Sequence, residues 1–330
     1  MTSELIDPFG GKSDLEQGIL RAPNSVTFIE DPLRFYRVMQ MIGRFTMYPD
    51  AALQKLCSEM SIDHVSRERI ELEFEKLFLQ SEQPSRGIRW LHAIGRLEQV
   101  LPELAATVGI EQDPRWHPEG DVFEHTMQSI DAAAAIARSY DDRHKVLVLI
   151  YAALCHDLGK VNTTQKTPAG ITSYGHDTKG VEPARTLLKR ITENHAIKDA
   201  VLKLVRHHMA PVLLVKEGAK PPAYKRLANN LAPEVTLALL ADLAYADVRG
   251  RNPKGSEPLT SAVPDIVTFL ERAENAQVCN AIEEPVLKGR DLLDVVLPGA
   301  KMGQLLERAY EIQIEEGITD KDELKNRILK

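Results

Sequence analysis

The stretch KVLVLIYAALCHDLGK, residues 145–160, constrains the fold more than any other part of this chain. Apolar residues cover so much of a helix drawn through it that the helix must be buried among other elements. Gly159, next to its end, predicts a left-handed C-terminal stop. The sequence therefore predicts a core helix that carries His156 and Asp157 on its last turn.

Helical periodicity continues through most of the remaining sequence. Apolar residues recur at three- and four-residue steps in segments 32–45, 67–80, 122–139 and 234–250. Ser66 is a candidate N-cap for the second of these segments, and Gly250 follows the last. Alternating strand patterns are almost absent, apart from candidate hairpins near 10–21 and 169–176. The predicted fold class is all-α.

Composition limits the function classes. With 330 residues, of which 43% are hydrophobic and 27% charged, the chain is predicted to form two or three domains of a soluble protein. No uncharged run of about 20 apolar residues is present, and the N-terminus lacks a leader pattern, so a cytoplasmic protein without a membrane partner is expected. Three cysteines without CxxC spacing argue against a disulfide framework or a thiolate zinc site. The net charge of -7 argues against a general polyanion-binding surface.

The His156–Asp157 doublet by itself leaves two interpretations open. A buried carboxylate without a partner costs several kcal/mol, so Asp157 needs a counter-charge, which Lys160 or a metal ion would supply. The doublet is therefore either a hydrogen-bonded pair at a helix end or part of a metal site.

Two distant residues favour the metal site. His125 and Asp247 occupy inward positions on two other predicted helices. A histidine, a His–Asp doublet and a second aspartate on three helices predict a mixed nitrogen and oxygen site. Such a site suits a divalent transition metal or magnesium, with open positions for water and phosphate.

The order H…HD…D resembles the HD phosphohydrolase superfamily. Several segments resemble, more narrowly, the HD domain of bacterial tRNA nucleotidyltransferases, the CCA-adding enzymes of the multifunctional type: PRWHPEGDVFEHT, CHDLGK, GHDTKGVEPA, VRHHM and ADVRGR. DPFGGKSDLEQGILR resembles the end of that family's head, FIEDPLRFYRVMQMIGRF its neck, and residues 287–318 its tail. The resemblance implies a head remnant at 1–27, a neck at 28–110, an HD phosphohydrolase domain at 111–255 and a helical tail at 256–330.

The resemblance also implies roles for the metal-site residues. A divalent ion (Mg, Mn, Co or Ni) would be held by His125, His156, Asp157 and Asp247. The implied reaction is hydrolysis of 2′,3′-cyclic phosphates, 2′-phosphates and simple phosphomonoesters, with catalysis at His156 and Asp157. Lys160 either pairs with the substrate phosphate or forms a salt bridge with Asp157.

Two further groups of residues match the family. His176 and His207 match positions that supply a second metal or contact phosphate, and His208 is an alternative to His207. A further match is to the EDxxR motif that reads the base of CTP or ATP, with Glu30, Asp31 and Arg34 at its positions. Those three residues also fit a plain charge cluster at a helix start.

A second class of function stays open. The family's head carries a GGxVRD-like turn with a DxD pair for two magnesium ions, and that combination is absent from the sequence, so this chain alone is not expected to add nucleotides. Between Arg185 and Arg226 there are ten Lys or Arg and three Asp or Glu, which predicts a basic surface. The chain could therefore be a non-hydrolytic tRNA- or nucleotide-binding partner or fragment of a CCA enzyme, beside a separate nucleotidyltransferase head.

Overall fold

The computed structural model describes residues 6–45, 47–253 and 258–330 and is mainly α-helical, which confirms the predicted fold class. The chain divides into two compact units. The first comprises Met1–Ala210 with Asp242–Val263, and the second comprises Pro211–Ala241 with Pro264–Lys330. The predicted neck and most of the predicted HD segment lie in the first unit, whereas residues 211–241 of the HD segment belong to the second. The four-segment division stays a prediction.

The first unit holds most of the helices. Their bounds are α1 Gly11–Gln17, α2 Ser25–Ile29, α3 Leu33–Phe45, α4 Ala51–Glu59, α5 Arg67–Gln80, α6 Ser85–Ala93, α7 Leu97–Val100, α8 Pro102–Ala105, α9 Val122–Ala137, α10 Arg143–Cys155, α11 Lys160–Thr163, α12 His176–Lys179, α13 Val181–Ile191 and α14 His195–His207. Short strands pair in parallel, β1 Ile19–Leu20 with β2 Tyr48–Pro49, and antiparallel, β3 Gln165–Thr167 with β4 Gly170–Thr172.

The second unit is helical and has an apolar cluster of its own. The remaining elements are α15 Ala210–Lys216, α16 Pro221–Leu231, α17 Leu237–Arg249, α18 Pro264–Asn275, a 3-10 helix Gly289–Leu292, α19 Ala300–Glu316 and α20 Lys321–Leu329. Helix α17 begins in the second unit and ends in the first. Side chains of the 3-10 helix, α19 and α20 form one apolar cluster that includes Leu292, Met302 and Leu324.

Helix α10 is the centre of the first unit. It packs against α9, α14, α5 and α13, and every residue from Leu147 to Lys160 is buried. Each fully buried large aliphatic side chain contributes about 1.5–3 kcal/mol relative to exposure, so this helix anchors the bundle. Residues 143–163 are also long and apolar enough, by length and composition alone, to cross a membrane. Because 78% of that window is buried inside the protein, a core helix accounts for the same composition.

Gly159 does not adopt the predicted left-handed conformation. Its φ of -68° and ψ of -18° are right-handed, so that prediction is wrong. A Cβ at this position would lie 2.1 Å from the carbonyl oxygen of His176 and 2.6 Å from the nitrogen of Gly180. Glycine is needed because the turn after α10 lies directly against α12.

The predicted hairpin near 10–21 is also wrong. The segment forms α1, which Gly10 and Gly18 bound in left-handed conformations with φ of 74° and 68°. The Asp7 carboxylate accepts hydrogen bonds from the N–H groups of Gly11 and Lys12, at 2.7 and 2.9 Å, and so stabilises the start of this helix. Of the second predicted hairpin, 169–176, the structure retains one strand, β4, which pairs with β3 just before it.

Candidate metal centre

Six buried or nearly buried side chains converge at one place in the first unit. We name this group the His–Asp cluster: His125, His156, Asp157, His176, His208 and Asp247. They come from α9, the turn after α10, the start of α12, the residue after α14, and α17. The structure therefore brings together all four residues of the predicted primary site and two of the three additional histidines.

Local features of the sequence position these elements. Helix α9 begins at Asp121, whose carboxylate accepts from the N–H of Glu124 at 2.8 Å, and His125 follows one turn later. Gly250 lets the end of α17 approach α9, because a Cβ there would lie 2.4 Å from Ser129 Oγ and 2.9 Å from its nitrogen. The close contact between α17 and α9 places Asp247 Oδ1 3.1 Å from His125 Nε2.

One half of the His–Asp cluster surrounds Nε2 of His125. This atom lies 3.1 Å from Asp247 Oδ1, 3.5 Å from Asp157 Oδ2 and 3.3 Å from His156 Nε2. His156 Nε2 is in turn 3.3 Å from the same Asp157 Oδ2. His125 and His156 thus share one carboxylate oxygen.

The other half lies around the second oxygen of Asp157. Oδ1 is 3.4 Å from His176 Nε2 and 4.0 Å from His208 Nε2, and these two nitrogens are 3.0 Å apart. The side chains that could hold an ion accordingly include His125 with His156 and Asp157, and Asp157 with His176 and His208. Asp157 belongs to both groups, with one oxygen for each.

The hydrogen bonds of the histidines indicate which ring nitrogen carries the proton. In His156, His176 and His208, Nδ1 lies 2.8, 2.7 and 2.7 Å from the main-chain carbonyl oxygen three residues earlier. A carbonyl oxygen only accepts, so each Nδ1 is protonated, and each ring, when it is neutral, presents an Nε2 lone pair to the His–Asp cluster. Facing lone pairs repel one another unless a cation lies between them. The donor set therefore fits bound metal.

At Asp157, Asp247 and His208, the directions of the pKa shifts match the protonation states that a metal requires. Burial raises the pKa of Asp157, but His156 and Lys160 outweigh it and hold that pKa well below its ordinary value. For Asp247, Arg251 and His125 likewise outweigh burial and lower the pKa. Burial, with the charge of His176, lowers the pKa of His208 to about 3. Ionised carboxylates and neutral imidazoles are the forms that bind metal.

His125 has a distinct environment. Burial alone would lower its pKa, but the carboxylates of Asp247 and Glu119 raise it above the ordinary value. Glu119 Oε1 accepts from His125 Nδ1 at 2.7 Å. A carboxylate on the far nitrogen of a metal-binding histidine fixes the ring orientation and increases its basicity. The site therefore favours a positive charge at Nε2 of His125.

Comparisons with known proteins show which family this chain resembles. The family profile described as "HD domain" matches residues 122–252, and the one described as "Probable RNA and SrmB- binding site of polymerase A" matches residues 50–107. The multifunctional CCA protein of Pasteurella multocida is 34% identical over 260 residues, covering 76% of this chain and 60% of the relative. That of Halorhodospira halophila is 35% identical over 314 residues, covering 92% of this chain and 70% of the relative. The chain belongs to the multifunctional CCA protein family.

The solved structures of this family share the fold. A CCA-adding enzyme in complex with CTP superposes with a TM-score of 0.58 over 98% of this chain and 65% of that one, at 13% identity. At that identity the likeness shows the fold alone. The chain spans 60% and 62% of the length of two of the multifunctional CCA proteins that it matches, so part of each relative lies outside the matched region.

The structure separates the two neighbouring histidines at the end of α14, His207 and His208. His208 lies in the His–Asp cluster, whereas His207 lines a surface pocket of about 420 Å³ with Thr178, Val181 and Leu202. The alternative of His208 over His207 is thus the one that the geometry favours for a second ion. The metal-binding role of all these residues stays a prediction.

Lys160 is placed against protein groups. Its Nζ donates to Asp157 Oδ2 at 2.6 Å and to Gln112 Oε1 at 2.8 Å, and its side chain is 9% exposed. Of the two roles that the sequence left open for Lys160, the salt bridge to Asp157 is the one present.

The EDxxR residues of this family member are bound within the first unit. Asp31 accepts from the N–H of Leu33 at 3.2 Å and from Arg69 at 3.0 and 3.2 Å. Arg34 donates to the carbonyl oxygen of Thr27, and Glu30 is exposed. Nucleotide binding by these residues stays a prediction.

Sequence reasoning missed three residues around the His–Asp cluster, Gln112, Glu119 and Arg251, and it favoured a loop role at a domain junction over a ligand contact for His117. His117 had only a weak signal, its place beside Trp116 in a loop, yet its ring lies 4.8 Å from that of His125 and its Nδ1 is 2.9 Å from Glu119 Oε1. Arg251 had one signal, its position four residues after Asp247, and its Nη2 lies 2.8 Å from Asp247 Oδ1. Gln112 and Glu119 lie in an irregular loop, where no periodicity predicts an orientation.

Proposed function

We propose that this chain is a metal-dependent phosphohydrolase that acts on small phosphoesters: 2′,3′-cyclic phosphodiesters, 2′-nucleotides and phosphomonoesters. The observation that carries the proposal is Asp157, whose two oxygens face two separate pairs of histidines. Two ions that share one carboxylate form the arrangement that hydrolases use to stabilise the attacking and leaving oxygens of a phosphoryl group.

A divalent ion bound there would lower the pKa of a water and polarise a phosphoryl oxygen. Residues of this chain orient the groups that would bind the ion. The carbonyl oxygens behind His156, His176 and His208 fix the ring orientations, and Lys160 holds Asp157 ionised and in place. Four imidazole nitrogens favour transition metals over magnesium. We therefore propose Mn²⁺, Co²⁺ or Ni²⁺ ahead of Mg²⁺.

The test is hydrolysis of 2′,3′-cyclic AMP and of a generic phosphodiester by metal-stripped protein with each ion restored. Asp247→Asn is compared with Asp242→Asn, a matched control on the same helix. Asp242 is also a partly buried carboxylate, but it accepts a hydrogen bond from the Tyr140 hydroxyl, outside the His–Asp cluster. We expect metal-dependent turnover that Asp247→Asn removes and Asp242→Asn retains. Absence of turnover with any ion in folded protein would refute the proposal.

RNA binding is a second candidate function, which the match of residues 50–107 to an RNA-binding family profile favours. Several cations of the predicted basic segment are paired: Arg190 with Glu103 in the first unit, and Lys225 with Glu283 in the second. Such pairs weaken the basic surface that the sequence predicted. If tRNA binds, its affinity should survive chelation of metal and fall as salt rises, whereas hydrolysis should vanish on chelation.

We also propose that this chain by itself adds no nucleotides to tRNA, because the glycine-rich turn with its DxD pair is absent from its sequence. Incubation with tRNA, CTP, ATP and Mg²⁺ should leave the 3′ end unextended. A separate nucleotidyltransferase head as partner, and a cytoplasmic location, stay predictions.

A further inference from the structure

Arg251 lies at the edge of the His–Asp cluster, and only part of its guanidinium group contacts the cluster. Its Nη2 donates to Asp247 Oδ1 at 2.8 Å, and 28% of its side chain is exposed. Its Nε is buried and has no hydrogen-bond partner among the residues that the structure describes. A buried guanidinium N–H without a partner is costly, so this edge of Arg251 is suited to an acceptor that arrives with a ligand.

Arg251 differs in this respect from Lys160, the other cation of the site. The Lys160 ammonium is nearly fully buried and holds two acceptors, Asp157 and Gln112, at 2.6 and 2.8 Å. Two of the three Lys160 N–H donors are occupied and its side chain is 9% exposed, whereas Arg251 combines one contact to Asp247 with a side chain that is 28% exposed. A guanidinium presents five N–H donors in a planar fork, so one contact leaves others for an anion.

The charge balance of the site favours an anion once metal is present. Among the residues that the structure describes, the negative groups of the site are Asp157, Asp247 and Glu119, and the positive ones are Lys160 and Arg251. The site therefore carries about one net negative charge when its histidines are neutral, and divalent ions reverse that sign. The positive charge of Arg251 then adds to the attraction for a phosphate at the exposed side of the His–Asp cluster.

We propose that Arg251 binds the phosphate of the substrate, with Nε and the remaining guanidinium N–H groups donating to its non-bridging oxygens while Nη2 stays on Asp247. This inference rests on the proposed function in taking a phosphoester as the substrate. Arg251 thereby takes the phosphate contact that was one of the two roles predicted for Lys160. Charge-assisted bonds of this kind from an arginine fork are directional and strong.

The competing account is that Arg251 only orients Asp247. The two accounts separate if anion binding and metal binding are measured on the same variants, by calorimetry with inorganic phosphate on Mn²⁺-loaded protein and with Mn²⁺ on stripped protein. The variants are Arg251→Gln and Arg251→Lys. Arg249→Gln is the matched control, since Arg249 lies two residues earlier and its guanidinium stacks 5.0 Å from the centre of the Tyr245 ring.

Arg251→Gln should weaken phosphate binding and raise KM by roughly 10- to 100-fold while changing Mn²⁺ affinity by less, because Gln keeps an N–H donor for Asp247 and removes a positive charge that repels the ion. Arg251→Lys should fall between wild type and Arg251→Gln, because it keeps the charge but loses the fork. Arg249→Gln should match wild type.

A loss of Mn²⁺ affinity as large as the loss of phosphate affinity would overturn the proposal, as would a wild-type protein that does not bind phosphate. If Arg251→Gln fails to fold, the same readouts on Arg251→Lys decide the question. Phosphate binding requires no turnover. Arg251-dependent binding in a protein that hydrolyses nothing would therefore refute the proposed function and retain this assignment.

Discussion

Two regions of the molecule carry clusters of charged and polar side chains, and their partners differ. In the His–Asp cluster, imidazole lone pairs and carboxylate oxygens face one another at 3.0–3.5 Å within the buried core. In segment 30–34, Asp31 pairs with Arg69 and the N–H of Leu33, while Arg34 donates to a main-chain carbonyl. Donors and acceptors are matched in the second region. In the first, histidine Nε2 atoms face one another at 3.0 and 3.3 Å, and the donors Lys160 and Arg251 reach the aspartates but not the histidines.

This difference separates a ligand site from an internally satisfied charge cluster. Burial of unmatched lone pairs costs free energy that the fold tolerates only if another partner offsets it. The same criterion distinguishes two cations of one site. Arg251 has a buried Nε without a hydrogen-bond partner among the described residues, whereas Lys160 donates to Asp157 and Gln112. A polar sequence motif therefore indicates a ligand site most strongly where its side chains are buried and keep lone pairs or N–H groups without a partner.

The largest effect is expected from Asp157→Asn. Because Asp157 faces both halves of the His–Asp cluster, its loss should remove two ions at once and lower hydrolysis by at least about a hundredfold, since outer-shell partners alone are worth about 10- to 100-fold. Elemental analysis of purified protein gives the metal content, with Asp242→Asn as the control. Full metal occupancy in Asp157→Asn would contradict the assignment.

Gly159→Ala should destabilise the protein by about 3 kcal/mol, because the new methyl group meets main-chain atoms of α12 that cannot move aside. Denaturant unfolding measures this change. Gly303→Ala is the control: Gly303 lies inside α19, where an added Cβ would have no atom within 4 Å, so this exchange should stabilise by about 0.5–1 kcal/mol. Equal behaviour of the two variants would show that the close approach at Gly159 is not tight.

His207 and His208 are adjacent in sequence, but only His208 belongs to the His–Asp cluster. His208→Gln should remove one of two bound ions, whereas His207→Gln should retain both, because only His208 faces Asp157. Competition between Mn²⁺ and a fluorescent chelator gives the stoichiometry. If His207→Gln loses the ion, the second site has been assigned to the wrong histidine.

Glu119→Ala should weaken metal binding by about 10- to 100-fold, because the carboxylate orients His125 without reaching the ion. Glu119→Gln keeps an acceptor oxygen for His125 Nδ1 and should recover part of the affinity. The same titration as for His208 measures it. An affinity unchanged in Glu119→Ala would show that packing alone fixes the ring of His125.

The smallest effect is expected in segment 30–34. Burial raises the pKa of Asp31, but the Leu33 N–H and Arg69 outweigh it, so the net pKa lies below its ordinary 3.8. A lowered pKa stabilises the folded protein above the ordinary pKa, and this contribution is lost as pH falls through the folded-state value. Asp31→Asn should therefore cost less than about 1 kcal/mol at pH 7 and nothing at low pH, with hydrolysis unchanged. A large loss of hydrolysis would give this segment a role in the reaction.

Most of the fold was predictable because helical periodicity is a local property. Segments 32–45 and 67–80 correspond to α3 and α5, and the buried run became the central helix α10. The failures occurred where geometry depends on distant contacts. Gly159 has an ordinary backbone conformation and is required by the atoms of His176 and Gly180, which no local pattern shows.

The sequence by itself determined the all-α fold, the buried core helix and the residue types of the candidate site, because burial on all sides of one helix and the spacing of inward-facing residues follow from periodicity. Only the tertiary structure decided that His208 rather than His207 faces Asp157, that Lys160 is held by Asp157, and that Glu119 and Arg251 complete the surroundings. Those choices depend on distances of a few ångströms between elements far apart in the chain, where a difference of one residue turns a side chain by about 100° around its helix.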